Sequence, residues 1–208
     1  RYPRALGFSA EGAADGLCLG FGWDARAAHL SSFAREGRNG FAVAYARAAE
    51  AGARLGELVA AIRARRPDLA VDLFAHSLGA RVALSAAAAG AARLILLGAA
   101  EDREEAARLH AGAEGAEVWH VAARHNDLFD LMFEAAAPRL AGRRAVALGR
   151  DGLGAGREGW IDLQLDRPEL AAFLAARGVA LDPRTPRVCH WSFYARPGAM
   201  ALYRAIQI

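Results

Sequence analysis

The sequence predicts one α/β domain with a mostly parallel central sheet and helices on both faces. Three observations carry that expectation. Strand-sized apolar runs alternate with helix-period segments along the chain, the pattern left by successive βαβ units. The 208 residues are 54% hydrophobic and 24% charged, which suffices for one sizeable core and lies outside the disordered and fibrous ranges. The loose stretch at 149–159 is too short for a domain linker. The expected domain therefore spans residues 1–208.

The elements follow in order. Gly16-Leu-Cys-Leu-Gly-Phe-Gly22 is a short apolar run ending in glycines and reads as a buried strand that stops in a turn. Phe41, Tyr45, Ala48, Gly52, Leu55, Val59 and Ile62 recur at three- and four-residue steps, so 41–65 is a long amphipathic helix closed by Pro67. A second strand is expected at 69–74, and a helix from Ser77 to about residue 89, where Gly90 suits its end. Residues 93–97 form a third strand, 101–111 a helix with an acidic start, and 117–122 a fourth strand. A helix over 127–136 runs up to Pro138, and 145–149 is read as a fifth strand. Pro168 sits in the first turn of a helix over 167–177, where its missing N–H costs nothing, and 196–208 is a last helix.

Composition excludes more than it identifies. All 26 basic residues are arginine, they are interleaved with 23 acids, and the net charge is only +3. That weak field excludes a nucleic-acid specialist. The two cysteines, Cys18 and Cys189, are too few for a disulfide scaffold or a zinc cluster. The six histidines show no HExxH or HxxxH spacing, so no metal is expected. No apolar run approaches the ~20 residues that span a bilayer, and the expected location is cytoplasmic. The chain opens on Arg1 rather than methionine, so the reading allows for a further strand upstream.

The informative segment is Leu73-Phe-Ala-His-Ser77-Leu-Gly-Ala-Arg-Val82. A strand runs into Ala75-His-Ser77-Leu-Gly79 and a helix leaves at once. A serine at the apex of so sharp a turn needs small residues two before and two after it. Its Oγ is then lifted clear of the sheet at the helix N-terminus, where the dipole and the free N–H of Leu78 stabilise a developing oxyanion. Ser77 as a simple helix cap is the plain alternative. A serine hydroxyl attacks well only when a base takes its proton and an acid orients that base.

Two downstream segments hold such residues: Arg124-His-Asn-Asp127-Leu-Phe-Asp and Cys189-His190-Trp-Ser-Phe-Tyr. Together with the Ala-His-Ser77-Leu-Gly-Ala-Arg elbow they make the chain from Gly16 onward resemble the α/β-hydrolase superfamily, in particular its small lidless serine hydrolases. The resemblance implies a nucleophile, acid and base in the order Ser77, Asp127, His190. Asp130 and Asp102 remain alternative acids, with an N-cap as the plain reading for Asp102 and Asp127. His190 also reads as a packed member of an aromatic cluster with Trp191, Phe193 and Tyr194. His76 is read as a packing or hydrogen-bonding residue, and His110, His120 and His125 as lying away from the elbow.

The resemblance further implies a second oxyanion N–H from a loop before the elbow. Either Phe21, in Leu19-Gly-Phe-Gly-Trp23, supplies it, or that loop lies upstream of Arg1. The step of about four residues from Leu97 to Glu101, between the third strand and the next helix, leaves no room for a cap domain. The substrate implied is a small or lipid-like carboxyl ester or thioester, hydrolysed through an acyl-enzyme without metal or organic cofactor. Arg150, Arg157, Trp160 and Trp191 are candidates to line it.

Two further readings stay open. Gly20-Phe-Gly22-Trp-Asp-Ala25 resembles the glycine turn of a nucleotide-binding Rossmann domain. Gly154-Ala-Gly156-Arg-Glu-Gly159 fits the same spacing, but Trp160-Ile-Asp-Leu-Gln-Leu165 after it alternates like a strand, and a dinucleotide loop needs a helix there. The other reading is a non-catalytic binding protein on a hydrolase scaffold.

Overall fold

The structure, a computed structural model, describes residues 4, 6–8, 16–26, 40–182 and 187–207. Four strands build an all-parallel sheet in the order β1 (Asp72–His76), β2 (Arg93–Leu97), β3 (Glu117–Ala122) and β4 (Trp160–Gln164). Strand order follows chain order, so each strand returns to its neighbour through a helical crossover, as parallel pairing requires. The register sets His76 beside Leu97, Leu97 beside Val121 and Val121 beside Leu163. The four carboxyl ends therefore open on one edge, where ligands of open parallel sheets bind.

The period-2 alternation of β2 divides the core. Leu94 and Leu96 face one apolar cluster with Leu73, Val118 and the inner sides of α1 (Gly40–Arg65), α2 (Gly79–Ala86) and α3 (Arg103–Ala111). Ile95 and Leu97 face the other, with Val121, Leu165, Leu174 of α6 (Pro168–Ala175), Phe193 of α7 (Ser192–Ala195) and Leu202, Tyr203 and Ile206 of α8 (Ala199–Gln207). Fully burying each such aliphatic side chain is worth about 1.5–3 kcal/mol. At the crossing of α1 and α2 a Cβ on Gly52 would stand 2.8 Å from the Val82 carbonyl, so only glycine lets the two backbones meet.

A buried polar knot ties α1 and α2 to the loop after β2. The Arg81 guanidinium lies 3.8 Å over the Tyr45 ring, donates from Nη1 to Glu101 Oε2 at 2.9 Å, and donates from Nε to the Tyr45 carbonyl at 3.0 Å. Tyr45 Oη donates to the other Glu101 oxygen. Burial pushes the Glu101 carboxyl up, while Arg81 and Tyr45 pull it back. Next to it, Asp102 caps α3 by accepting from the N–H groups of Glu104 and Glu105, and it also holds Arg143.

Three sequence expectations change. Residues 16–22 are exposed and outside any strand, with Leu17 at 78% exposure; three glycines in seven residues leave little side chain to pack. Residues 145–149 do not pair into the sheet. Ala147 makes one isolated antiparallel bridge with Asp102, and α5 (Leu148–Asp151) follows. The strand beside β3 is β4, whose alternating side chains fit the pleat better than Ala145-Val-Ala-Leu-Gly149. The terminal helix is divided at Arg196-Pro-Gly198, where Gly198 takes φ 85°. None of the helices among the described residues is long and apolar enough to cross a membrane.

Arg81→Met leaves the Glu101 carboxyl buried without its cation. It should lower unfolding free energy by about 3–5 kcal/mol in denaturant titration. The double change Arg81→Met with Glu101→Met should lose clearly less than Arg81→Met alone.

Candidate active site

Ser77 follows the last residue of β1, and Leu78 alone separates it from α2. Its φ is 56°, a left-handed conformation that a side chain with a Cβ rarely takes. The strain is held from three sides. Ser77 N–H donates to the Leu97 carbonyl at 3.0 Å, and its own carbonyl accepts from Ala80 and Ala100 at 3.0 and 3.1 Å. Ala75 and Gly79 face each other across the bend, where a Cβ on Gly79 would lie 3.8 Å from that of Ala75, an ordinary contact. Among the described residues the Leu78 N–H has no hydrogen-bond acceptor, and it stands at the first turn of α2.

His190 arrives from the far end of the chain and is fixed at the same edge. The Cys189 N–H donates to the His125 carbonyl at 3.0 Å, and His76 Nε2–H donates to the His190 carbonyl at 2.8 Å. The His76 and His190 rings are 4.3 Å apart, and Phe129 stacks on His190 at 4.5 Å. Behind them Phe193, fully buried, occupies the space that a Cβ on Gly98 would need, and its carbonyl accepts from Tyr203 Oη. Burial holds the His190 imidazole down to about 4, with His76 and His125 acting the same way.

The partner of His190 is Asn126. His190 Nδ1–H donates to Asn126 Oδ1 at 2.7 Å, which leaves Nε2 with its lone pair. Asn126 closes the turn after β3 and in turn donates from Nδ2 to Asp130 Oδ1 at 3.0 Å, one turn along α4 (Asp127–Ala136). Burial pushes the Asp130 carboxyl up to about 7.

The other candidates fall elsewhere. The Asp127 side chain is 46% exposed, with its carboxylate 3.8 Å from the Arg124 guanidinium rather than on His190. Asp102 is spent as a cap. Although burial opposes its charge, Arg143 and the neighbouring amides hold its carboxyl low. Phe21 lies in the exposed, unpaired 16–22 segment. Trp160 is 6% exposed and opens β4 in register with Val118, about 10 Å below the carboxyl edge at ~3.3 Å per residue. Its indole N–H donates to Asp162 at 2.9 Å, so it packs the core instead of lining the site. Trp191 is beside the site, 55% exposed, its ring 5.8 Å from His190 and 6.4 Å from Phe129. His125, expected to lie away, is buried there against Phe193.

The glycine patterns are accounted for differently. Asp162 takes the N–H groups of Leu153 and Gly154 at 3.1 and 3.0 Å, so the 154–159 loop is a tied lead-in to β4. Residues 20–25 follow no strand, and residues 27–39 after them lie outside the described residues. Sequence reasoning missed Asn126 as the partner of His190. The available signal was its four-residue spacing to Asp130, which sets an amide and a carboxylate on one helical face. Comparison with protein-family models, curated proteins and solved structures returned no match.

Two outcomes follow. Ser77→Gly removes the Cβ penalty of the left-handed turn, so unfolding free energy should rise by about 0.5–1 kcal/mol in denaturant titration. In nitrogen-15 NMR, the His190 ring should be neutral at pH 8, protonated at Nδ1, and take up its second proton near pH 4. Below its usual range the unfolded chain binds this proton first, so stability from this group falls as pH drops toward 4.

Proposed function

We propose that the protein is a serine hydrolase of α/β-hydrolase type that cleaves a carboxyl ester or thioester through an acyl-enzyme. The observation that carries this reading is the left-handed Ser77 at the sheet's carboxyl edge, with the His190 ring held at the same edge 4.3 Å from that of His76, the neighbour of Ser77. Natural structures keep such strain where surrounding contacts impose it, and it concentrates at functional sites.

In the reaction, Ser77 Oγ attacks the substrate carbonyl while His190 Nε2 takes its proton. The Leu78 N–H and the start of α2 face the oxygen that becomes negative. His190 then returns the proton to the leaving alcohol or thiol, and a water repeats the sequence to release the acid. Asn126 Oδ1 keeps the Nδ1 proton in place and orients the ring. An amide stabilises the imidazolium less than a carboxylate does, which suits activated esters and thioesters more than amides.

The short connection between Leu97 and Arg103 supports a site without a cap at that position. The exposed Trp191 beside His190 favours a substrate with an apolar portion. The nucleotide-binding reading has less support, because residues 16–22 form no strand ahead of the first glycine pattern and the second runs into β4 instead of a helix.

Intact-mass labelling with a fluorophosphonate tests the reading. The wild type should gain one adduct, and Ser77→Ala should gain none. His190→Ala should label about 10²–10⁴-fold more slowly. Asp127→Ala should label at the wild-type rate. A folded wild type that takes no label contradicts the enzyme reading and leaves the binding-protein alternative.

A further inference from the structure

We infer that Asp130 is a positioning residue that sets the tautomer of His190 through the Asn126 amide. This rests on the Ser77–His190 reading above and extends it to the control of the base. Asn126 and Asp130 are each 2% exposed, and the two hydrogen bonds form one line from Asp130 Oδ1 to Asn126 to His190 Nδ1.

A side-chain amide has two unlike ends, and whichever end Asp130 takes leaves the other for the imidazole. An ionised carboxylate only accepts. It therefore claims Nδ2–H and turns Oδ1 toward His190, which must then carry its proton on Nδ1 and keep Nε2 free for Ser77. A protonated Asp130 is able to donate to Asn126 Oδ1 instead. The amide then presents N–H to Nδ1, the ring proton moves to Nε2, and the base is lost.

Two features single out Asp130 as more than a helix residue. Its second oxygen, Oδ2, is buried with no hydrogen-bond partner among the described residues. Gly149 is pressed against the carboxyl so closely that a Cβ there would collide with both its oxygens. The charged groups facing it are Asp127 and Glu134 on its own helix and Arg150 on α5, while Gly149 contributes backbone only. Burial and the two acids raise its titration to about 7, with Asn126 and Arg150 opposing. The relay is therefore set at a pH well above that at which His190 itself titrates.

The test combines nitrogen-15 histidine NMR of the full chain with fluorophosphonate labelling rates. Asp130→Asn frees the Asn126 amide to turn. The Nδ1–H fraction of His190 should fall, and labelling should slow about 10–100-fold, the usual cost of losing a group that orients a functional histidine. Asn126→Asp puts a carboxylate directly on His190 Nδ1, so Asp130→Asn added to it should change neither the tautomer nor the rate further. An Asp130→Asn variant with wild-type tautomer and rate overturns the proposal. So does a loss of equal size in both backgrounds, which marks a structural residue.

The wild type gives a reading that needs no variant. One Asn126 Nδ2 proton should exchange slowly, and the His190 Nδ1–H signal should change as pH passes through the Asp130 titration. A ring protonated on Nε2 at pH 8, or two rapidly exchanging amide protons, overturns the proposal. Because the tautomer is read without substrate, a relay that responds to Asp130 in a protein that takes no label counts against the hydrolase reading alone.

Discussion

The conformation of Ser77 is the constraint on which the rest of the site depends. A residue with a Cβ held at φ 56° costs on the order of 1–3 kcal/mol, and the surrounding structure has to impose it. Here the end of β2 does so. Leu97 receives the Ser77 N–H, and Ala100 donates back to the Ser77 carbonyl. Those bonds exist only because β1 and β2 pair in parallel register and α2 leaves immediately. The buried knot of Tyr45, Arg81 and Glu101 serves the same end by fixing α2 to α1 and to the loop after β2.

The second half of the site is built by long-range contacts. His190 is more than a hundred residues from Ser77 in the chain, yet the His125 carbonyl, His76 Nε2 and Asn126 Oδ1 each hold it or its neighbour at the carboxyl edge. Phe193 seated on Gly98 sets the depth of that segment. Burial keeps the imidazole uncharged, which is the form a base needs. The same burial lifts Asp130, so one apolar shell leaves a neutral imidazole and a carboxyl that titrates near neutrality on either side of an amide.

The parts of this arrangement governed by short-range rules were legible in the sequence. The alternation of strands and helices, the small residues around Ser77 and the 3.6-residue spacing of 41–65 are local patterns, and the α/β class with its parallel sheet follows from them. Position in the sheet is not local. Residues 16–22 and 145–149 carry strand-like apolar character, but pairing with β3 went to Trp160–Gln164, whose side chains fill the pleat. The partner of His190 was hidden for a chemical reason. A carboxylate is the expected orienting group, and in Asn126-Asp127 the adjacent residues point in directions about 100° apart on a helix, so the exposed acid drew attention from the buried amide. Trp160 misled for a related reason: its place in the chain is near the loops, but strand register carries it down into the core.

The proposed hydrolase uses Ser77 as its nucleophile and His190, set from behind through Asn126, as its base. The most direct test is a crystal structure after reaction with diethyl p-nitrophenyl phosphate. The expected result is a phosphoryl group on Ser77 Oγ, one of its oxygens on the Leu78 N–H, and the His190 ring still bonded to Asn126. A folded protein with an unmodified Ser77, or a phosphoryl group carried by another residue, contradicts it.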